Sequence, residues 1–328
     1  MRTVQWIKEE NYDSVMNETV LPYLEPRRQT GYFERIKGAK IYYEHYHSDH
    51  PKGVIVISHG FTESIRKYYE SIYYMLQAGY SVWGLDHRGH GNSFRHNENP
   101  YVVHILRFED YVQDLKCLAE TRVKPASGEL PLYLYCHSMG GCIGAWLIEA
   151  EPMLFRKAVL SSPMLGLTFG KIPTPIVYIG AQIKSMNGKR KEPLQPISAF
   201  PDPDFENSCD SSACRYYFYN KMRALNRELQ VTSASMGWGM EAVKACRRVT
   251  SRAQTGRIRI PVLLFQAGND TVVDNTAQNL FCSRVKSCEL QKVPGIKHEI
   301  YMSDSDVLIP YWKKIFDFLD CLLRMVQT

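Results

Sequence analysis

The sequence contains no run of about 18 consecutive apolar residues, the length that a membrane-spanning helix needs. Its first ten residues include Lys8, Glu9 and Glu10 where a secretory signal would have an apolar core. The net charge of +6 is small and scattered along 328 residues, so nothing resembles the basic face of a nucleic-acid-binding domain, although an anionic membrane surface would be tolerated. We therefore expect a cytoplasmic protein that binds no nucleic acid.

The chain also lacks any C-x-x-C pair, internal repeat or low-complexity tract. Its nine cysteines are an odd number, and Cys117, Cys136, Cys142 and Cys321 lie in apolar periodic segments. This usage predicts reduced, buried thiols and neither a disulfide framework nor a zinc site.

Short apolar runs typical of buried strands occur at 54–60, 81–86, 132–137, 158–163 and 261–268. Segments with helical periodicity separate several of them, and an antiparallel pair is predicted at 32–36 and 41–46. The first 25 residues show no clear period, and we expect an irregular lead-in there. The alternation predicts an α/β fold, with a mostly parallel central sheet covered by helices on both faces.

About ninety residues between the strands near 160 and 262 break this alternation. Because connections longer than about 15 residues are usually functional or separately folded, we predict an inserted helical cap. The expected division is residues 1–163 for the N-terminal part of the core, 164–257 for the cap and 258–328 for the C-terminal part of the core.

A candidate nucleophile follows the strand that ends near residue 136. The apolar run stops abruptly at Ser138, and the small residues Gly140 and Gly141 follow. A strand, a sharp turn and a helix with serine at the apex form a nucleophile elbow, written G-x-S-x-G, in which Cys136 takes the place of the first glycine. Taken alone, the same letters also fit a serine that caps a helix.

A serine hydroxyl needs a base and an acid, and both follow strands further along the chain. Asp270 follows the strand at 261–268, and His298 follows the strand at 288–293. The chain order Ser, Asp, His is the order found in α/β-hydrolases. Asp274 is an alternative acid, but it lies four residues further from the strand end.

An oxyanion hole needs the N–H after the nucleophile and a second N–H from an upstream strand end. Met139 supplies the first, and Phe61 is the candidate for the second. His59 and Gly60 form the supporting turn there, and Gly140 supports the turn at the nucleophile.

Four motifs carry a family resemblance: His59-Gly60-Phe61-Thr62, residues 86–93, His137-Ser138-Met139-Gly140-Gly141 and Pro294-Gly295-Ile296-Lys297-His298-Glu299. Together they resemble the bacterial lysophospholipase and monoacylglycerol lipase branch of the α/β-hydrolases, which includes serine aminopeptidase-like enzymes. The similarity extends from about Gly31 to the C-terminus. Residues 103–104, 108–115, 226–229 with Trp238, and 272–275 look closest to the membrane-associated bacterial lysophospholipases.

The resemblance implies the α/β-hydrolase fold, with Ser138 as nucleophile, His298 as base and Asp270 as the acid that orients it. It implies cleavage of the remaining acyl ester of a lysophospholipid without a metal or an organic cofactor. It also implies that the dense cluster Asp86, His87, Arg88 and His90 is a structural loop whose charges pair locally, not a metal or phosphate site.

Two features of the cap have competing interpretations. One interpretation of the apolar stretches at 165–169 and 172–183 is that they line an acyl tunnel or dip into a bilayer, and the other is that they pack onto the core; the two are compatible. The basic residues Lys184, Lys189, Arg190 and Lys191 either meet a phosphate head group or anionic lipid or form a solvated face.

We therefore predict a serine ester hydrolase acting on a single-chain acyl lipid, most readily a lysophospholipid, with peripheral contact between its cap and the inner membrane surface. The alternatives are a monoacylglycerol lipase or broad carboxylesterase, an aminopeptidase-like hydrolase, and a catalytically dead binding protein. Ser138 excludes an epoxide hydrolase or dehalogenase, which needs an aspartate at the elbow. The sequence leaves the oligomeric state open.

Overall fold

The computed structural model describes residues 3–168, 179–180, 182–183, 188–197 and 199–321. Its strands are β1 (Arg28–Glu34), β2 (Lys40–Tyr46), β3 (Gly53–Ser58), β4 (Tyr80–Leu85), β5 (Val102–Val103), β6 (Leu132–His137), β7 (Lys157–Ser161), β8 (Ser233–Ala234), β9 (Val262–Ala267) and β10 (Cys288–Val293). Eight of them form one sheet in the order β1-β2-β4-β3-β6-β7-β9-β10.

Strand β2 pairs antiparallel with β1 and β4, and every other neighbouring pair in the large sheet is parallel. This confirms the predicted antiparallel pair and the mostly parallel sheet. In a parallel sheet the carboxyl ends of the strands share one edge, so the loops after β3, β6, β9 and β10 meet there.

The helices of the described residues are α1 (Tyr12–Val15), α2 (Leu21–Leu24), α3 (Tyr69–Gln77), α4 (Glu109–Leu118), α5 (Lys124–Ser127), α6 (Met139–Ala150), α7 (Ala213–Leu225), α8 (Met236–Val249), α9 (Arg252–Thr255), α10 (Asn275–Arg284) and α11 (Ser305–Asp320). Single π-helical turns occur at Met16–Val20 and Ala119–Val123, and 3₁₀ turns at Glu25–Arg27, Ile65–Tyr68, Arg227–Leu229 and Ile300–Met302.

Helices cover both faces of the sheet because successive strand residues point to opposite sides. Val54 and Val56 of β3 belong to the core beneath α4, α6 and α8. Ile55 and Ile57 belong to the opposite core, beneath α3 and α11. Burial on both faces explains why these strands are continuous apolar runs.

The N-terminal segment is more regular than the sequence analysis expects. Residues 12–24 are helical, and Tyr12, Met16, Val20 and Leu24 are buried in the core beneath α3 and α11. These four residues recur every fourth position, which is the apolar period of a helix. The prediction of an irregular lead-in is therefore wrong, and this spacing is the signal that identifies the helix.

The described part of the predicted cap contains α7, β8 and α8. Strand β8 pairs in parallel with β5, and α8 buries Trp238 and Ala242 in the same core as α6. The boundaries 164 and 257 stay a prediction. Within the described residues, no helix combines the length and the apolar character needed to cross a bilayer.

Cys282 at the end of α10 and Cys288 at the start of β10 form a disulfide. The prediction of reduced thiols is therefore wrong for this pair, which lies six residues apart in sequence. Of the four cysteines predicted to be buried thiols, Cys136 and Cys142 are buried, whereas Cys117 is half-buried and Cys321 is exposed, so the prediction is wrong for these two.

Candidate active site

Ser138 lies in the turn between the end of β6 and the start of α6, as the motif predicts. Its φ of 50° and ψ of −118° lie outside the regions that a serine ordinarily adopts. The turn is fixed on both sides: the Ser138 N–H donates to the Ser161 carbonyl at 3.1 Å, and the Ser138 carbonyl accepts from Met164 N at 2.8 Å. A strained serine held by its surroundings in this way is the geometry of a nucleophile elbow.

Gly140 allows the first turn of α6 to pack against the end of β3. A Cβ at residue 140 would lie 2.0 Å from the carbonyl oxygen of Ser58 and 2.7 Å from that of His59. Only glycine fits against backbone atoms at this distance. The position therefore supports both the nucleophile turn and the loop that begins at His59.

Cys136 is accommodated by a glycine one helical turn further along. A Cβ at residue 144 would lie 2.3 Å from Cys136 Sγ, so Gly144 leaves the space that the sulphur fills. The close approach between β6 and α6 thus depends on Gly144, which compensates for the missing glycine at position 136.

Asp270 and His298 form a direct pair. His298 Nδ1 donates to Asp270 Oδ2 at 2.6 Å, while Asp270 Oδ1 accepts from the N–H groups of Val272 and Val273. Burial alone would raise the pKa of Asp270, but the hydrogen bond from His298 and these backbone donors lower it overall. The carboxylate therefore stays ionised and holds the proton of His298 on Nδ1.

Asp274 has a different role from the one its position near β9 suggests. It is the N-cap of α10, and its Oδ1 accepts from Thr276 N at 2.7 Å. Asp270, not Asp274, contacts the histidine.

His298 Nε2 is buried and has no hydrogen-bond partner among the described residues. The His298 ring packs against the ring of His137, with centroids 4.9 Å apart, and so lies beside the nucleophile turn. Because Asp270 keeps the proton on Nδ1, Nε2 is the unprotonated nitrogen, ready to accept a proton.

The loop after β3 is held by His59. His87 N donates to His59 Nε2 at 2.9 Å, so the proton is on Nδ1, which donates to the Gly60 carbonyl at 2.7 Å. Burial lowers the pKa of His59 to about 4, which keeps it neutral and able to make both bonds. Phe61 follows, with its ring packed 4.3 Å from that of Trp238 on α8.

The charged residues of the loop at 86–93 are held by the protein itself, as expected of a structural loop, but they do not pair with one another. Asp86 accepts from the N–H groups of Ile65 and Asn92, and Arg88 binds Asp114 through two hydrogen bonds of 2.7 and 2.8 Å. These contacts give the loop a structural role.

The start of the predicted cap packs onto the loop that carries the acid. Leu165 is buried, Leu167 forms a bridge with Val273, and Thr168 Oγ1 donates to the Thr271 carbonyl. Phe169, most of 172–183 and Lys184 lie outside the described residues.

Two basic residues of the cap make local contacts. Arg190 donates to the Leu106 carbonyl and faces Glu241 at 3.6 Å, and Lys189 lies 3.5 Å from Glu192.

A buried charged group that the sequence did not predict lies beside this site. It consists of Glu63, Lys67, His137, Asp210 and Glu299. In the sequence these five residues are ordinary polar residues that lie up to 236 positions apart. The one available signal is that Glu63 follows the His59-Gly60 turn, His137 precedes Ser138 and Glu299 follows His298.

The family model for "Hydrolase_4: Serine aminopeptidase, S33" matches residues 49–306 of the chain. Lysophospholipase L2 of Escherichia coli K12 is 28% identical over 268 residues, covering 78% of this chain and 75% of that protein. The monoacylglycerol lipase of Mycolicibacterium smegmatis is 25% identical over 84% of this chain and 92% of its own length. The mouse monoglyceride lipase is 31% identical over 76% of this chain and 77% of its own length.

Solved structures show the same fold. A carboxyl esterase from Bacillus coagulans superposes with a TM-score of 0.72 at 20% identity, covering 89% of this chain and 97% of that one. A monoglyceride lipase from Saccharomyces cerevisiae superposes with a TM-score of 0.71 at 17% identity, covering 88% and 94% of the two chains. The chain is a member of the serine aminopeptidase, S33 family of α/β-hydrolases, in the branch of the lysophospholipases and monoacylglycerol lipases that its motifs resemble.

Proposed function

We propose that this carboxylic ester hydrolase uses Ser138, His298 and Asp270 to cleave the acyl ester of a single-chain lipid, with a lysophospholipid as the preferred substrate. The observation that carries the proposal is the 2.6 Å hydrogen bond between His298 and Asp270, which leaves Nε2 unpartnered beside the nucleophile turn.

In the first half of the reaction, Ser138 Oγ attacks the ester carbonyl carbon while His298 Nε2 takes the hydroxyl proton. The carbonyl oxygen becomes an oxyanion, which accepts hydrogen bonds from the N–H groups of Phe61 and Met139. The tetrahedral intermediate collapses as His298 returns the proton to the departing glycerol oxygen, leaving the acyl group on Ser138.

In the second half, a water molecule donates its proton to His298 Nε2 and attacks the acyl carbon. The second tetrahedral intermediate collapses, Ser138 regains its proton, and the fatty acid leaves. Asp270 stays ionised throughout and stabilises the imidazolium that forms in each half-reaction.

The relatives support a lipid substrate. Lysophospholipase L2 proteins match over most of their length, including a probable one from Haemophilus influenzae that covers 96% of this chain. Monoacylglycerol is the second candidate substrate, because the mouse and Mycolicibacterium relatives bear that name. The two esters differ in the head group attached to the glycerol.

We further propose that the cap touches the inner surface of the cytoplasmic membrane. Ile179 and Ile183 leave 55% and 57% of their surface exposed, so apolar surface is available there for insertion between lipid head groups. Cosedimentation with anionic vesicles is expected for the wild type and is expected to fall for the pair Ile179→Ser and Ile183→Ser.

The proposed activity is tested by measuring hydrolysis of lysophosphatidylethanolamine, monoacylglycerol, a short p-nitrophenyl ester and an aminoacyl p-nitroanilide side by side. The expected result is fastest turnover of the lysophospholipid and none of the anilide. Ser138→Ala should abolish every activity while the circular dichroism spectrum stays unchanged. Retained turnover in Ser138→Ala would contradict the assignment of the nucleophile, and preferred cleavage of the anilide would favour the aminopeptidase-like alternative.

A further inference from the structure

The buried charged group described above contacts the loop after β3 at Gly60. The proposed mechanism assigns it no role. Its centre is Glu63, whose side chain is 2% exposed, with Lys67 beside it at 6%. Burying ionised groups is costly unless each is paired and hydrogen-bonded. The contacts of Glu63 therefore indicate what the carboxylate is for.

Glu63 accepts three hydrogen bonds from three parts of the chain. Oε2 accepts from the Gly60 N–H at 2.5 Å and from the Tyr68 hydroxyl at 2.6 Å. Oε1 accepts from the Tyr301 hydroxyl at 2.8 Å. All three partners donate, so Glu63 is an acceptor on both of its oxygens, an arrangement that suits a carboxylate.

Lys67 supplies the counter-charge. Its Nζ lies 3.6 Å from Glu63 and 3.9 Å from Asp210, and it forms an ion pair with Glu299. Burial alone would lower the pKa of Lys67, but the carboxylates of Glu299, Asp210 and Glu63 raise it overall, so the ammonium stays charged.

The ligand atoms of Glu63, His137 and Glu299 lie within 4.8 Å of one another, a spacing that could hold a metal ion. The Lys67 ammonium already lies among these carboxylates, so they have a counter-cation of their own. We therefore assign the group an electrostatic role within the protein.

The group connects the three segments that carry the proposed chemistry. Glu63 binds Gly60, which precedes the oxyanion donor Phe61, and its Oε1 lies 3.5 Å from His137 Nε2 beside the nucleophile. Gly60 packs closely against both side chains, because a Cβ at residue 60 would lie 2.9 Å from both Glu63 Oε2 and His137 Cδ2. Tyr301 lies three residues after His298. One carboxylate thus touches the oxyanion loop, the nucleophile turn and the catalytic-histidine loop.

We propose that Glu63 is a positioning residue that holds the His59–Gly60 peptide, and through it the adjoining Phe61 N–H that serves as oxyanion donor, relative to Ser138 and His298, with Lys67 as its counter-ion. This inference rests on the proposed function. The Glu63 side chain is 2% exposed, which leaves it little surface with which to contact a substrate. It acts through Gly60, whose N–H it holds, and therefore contributes to the transition state more than to substrate binding.

The test is Glu63→Gln, which keeps the shape of the side chain but replaces one acceptor oxygen with an NH₂ group. At least one of the three donors then loses its acceptor, and the loop is held less firmly. We expect kcat on a p-nitrophenyl ester to fall about 10- to 100-fold, with KM within about threefold of wild type. The inhibition constant of a trifluoromethyl ketone, which forms a tetrahedral oxyanion on serine, should rise in parallel with the fall in kcat.

Glu44→Gln is the matched control. Glu44 is also fully buried and also accepts hydrogen bonds from two tyrosines, Tyr42 and Tyr46, but all three lie on β2, away from the three catalytic segments. We expect Glu44→Gln to lower Tm as much as Glu63→Gln does while leaving kcat within about threefold of wild type.

A Glu63→Gln enzyme with wild-type kcat and wild-type ketone affinity would overturn the inference, as would an equal loss of kcat in Glu44→Gln. If Glu63→Gln does not fold, Glu63→Asp replaces it: the charge is kept, but the shorter side chain cannot hold Gly60 at the same distance, and the same fall in kcat is expected. A wild-type enzyme that hydrolyses no ester and whose Ser138 resists a fluorophosphonate would instead contradict the proposed function itself.

Discussion

At the scale of single residues, the candidate site depends on which nitrogen of His298 carries the proton. Asp270 fixes that proton on Nδ1 through a 2.6 Å hydrogen bond, and two backbone N–H groups hold the other oxygen of the carboxylate. An asparagine at 270 could place its NH₂ group toward Nδ1, which would favour the tautomer with the proton on Nε2. In that tautomer His298 cannot take a proton from Ser138.

Asp270→Asn should therefore lower kcat by about 10³- to 10⁴-fold on any ester, with little change in Tm. Asp274→Asn is the control, because asparagine caps helices about as well as aspartate does. It should keep kcat within about twofold of wild type. Steady-state kinetics of the two variants decide between the two acids, and a larger loss in Asp274→Asn would contradict the pairing described above.

The residues of this site differ in how far the sequence predicts them. Ser138, Asp270 and His298 each follow a strand in the chain order of an α/β-hydrolase, and the structure brings Asp270 and His298 together. Glu63 and Lys67 could not be predicted in the same way, because their meaning depends on partners at 210, 299 and 301 that only the folded chain brings near.

At the scale of elements, the contact between β6 and α6 sets the position of the nucleophile turn. Strand β6 ends at His137, α6 starts at Met139, and Gly144 faces Cys136 one turn further into the helix. The strand, the turn and the helix are predicted by the apolar run that stops at Ser138 and the small residues that follow it. The compensation of Cys136 by Gly144 could not be predicted, because neither residue by itself shows that α6 packs against β6 at these two positions.

Gly144→Ala should destabilise the protein by about 1–3 kcal/mol, because the added Cβ would lie 2.3 Å from Cys136 Sγ. In a Cys136→Ala background the sulphur is absent, and the same substitution should be neutral or stabilising by up to about 1 kcal/mol, since alanine favours a helix over glycine. Urea unfolding of the four proteins measures this coupling.

Additive effects of these two substitutions would contradict the described contact between β6 and α6. The m-values should be the same in all four proteins, because a change in m would mean that the unfolded or native ensemble had also changed.

At the scale of the whole molecule, the central strands β3, β4, β6, β7 and β9 are buried on both faces, and the carboxyl edge of the sheet carries several buried histidines. His59, His87, His90 and His137 are all buried, and burial lowers the pKa of each, to about 4 in the case of His59. These side chains are neutral in the folded state, whereas in the unfolded state they titrate near their ordinary value of 6.5.

The pH dependence of stability follows from the sign of these shifts. Between pH 6.5 and the folded pKa values, the unfolded chain binds more protons than the folded one, so the free energy of unfolding falls as the pH falls. Each buried histidine contributes a slope of at most about 1.4 kcal/mol per pH unit. Two buried carboxyls act in the opposite direction, because burial raises the pKa of Glu149 to about 8 and that of Asp86 to about 7, so the folded chain binds their protons first. The four histidines outnumber these two carboxyls, and thermal unfolding should give a Tm that declines from pH 6.5 to 5. A Tm that rises over this range would contradict neutral burial of these histidines.

The large sheet is the part of the molecule that the sequence predicts best, because strands buried on both faces are continuous apolar runs. The two-residue strands β5 and β8 are too short to leave such a pattern. The Cys282–Cys288 disulfide depends on how α10 leads into β10, which the cysteine count alone does not determine.

The central claim is that Ser138 is a nucleophile that His298 activates, and covalent labelling tests it most directly. The full-length protein is treated with a fluorophosphonate, digested and analysed by mass spectrometry, beside Ser138→Ala, His298→Ala and the wild type denatured before treatment. We expect one phosphonate per chain on the peptide that contains Ser138, little labelling of His298→Ala, and none of Ser138→Ala or the denatured protein. Labelling of a different serine, or equal labelling of wild type and His298→Ala, would contradict it.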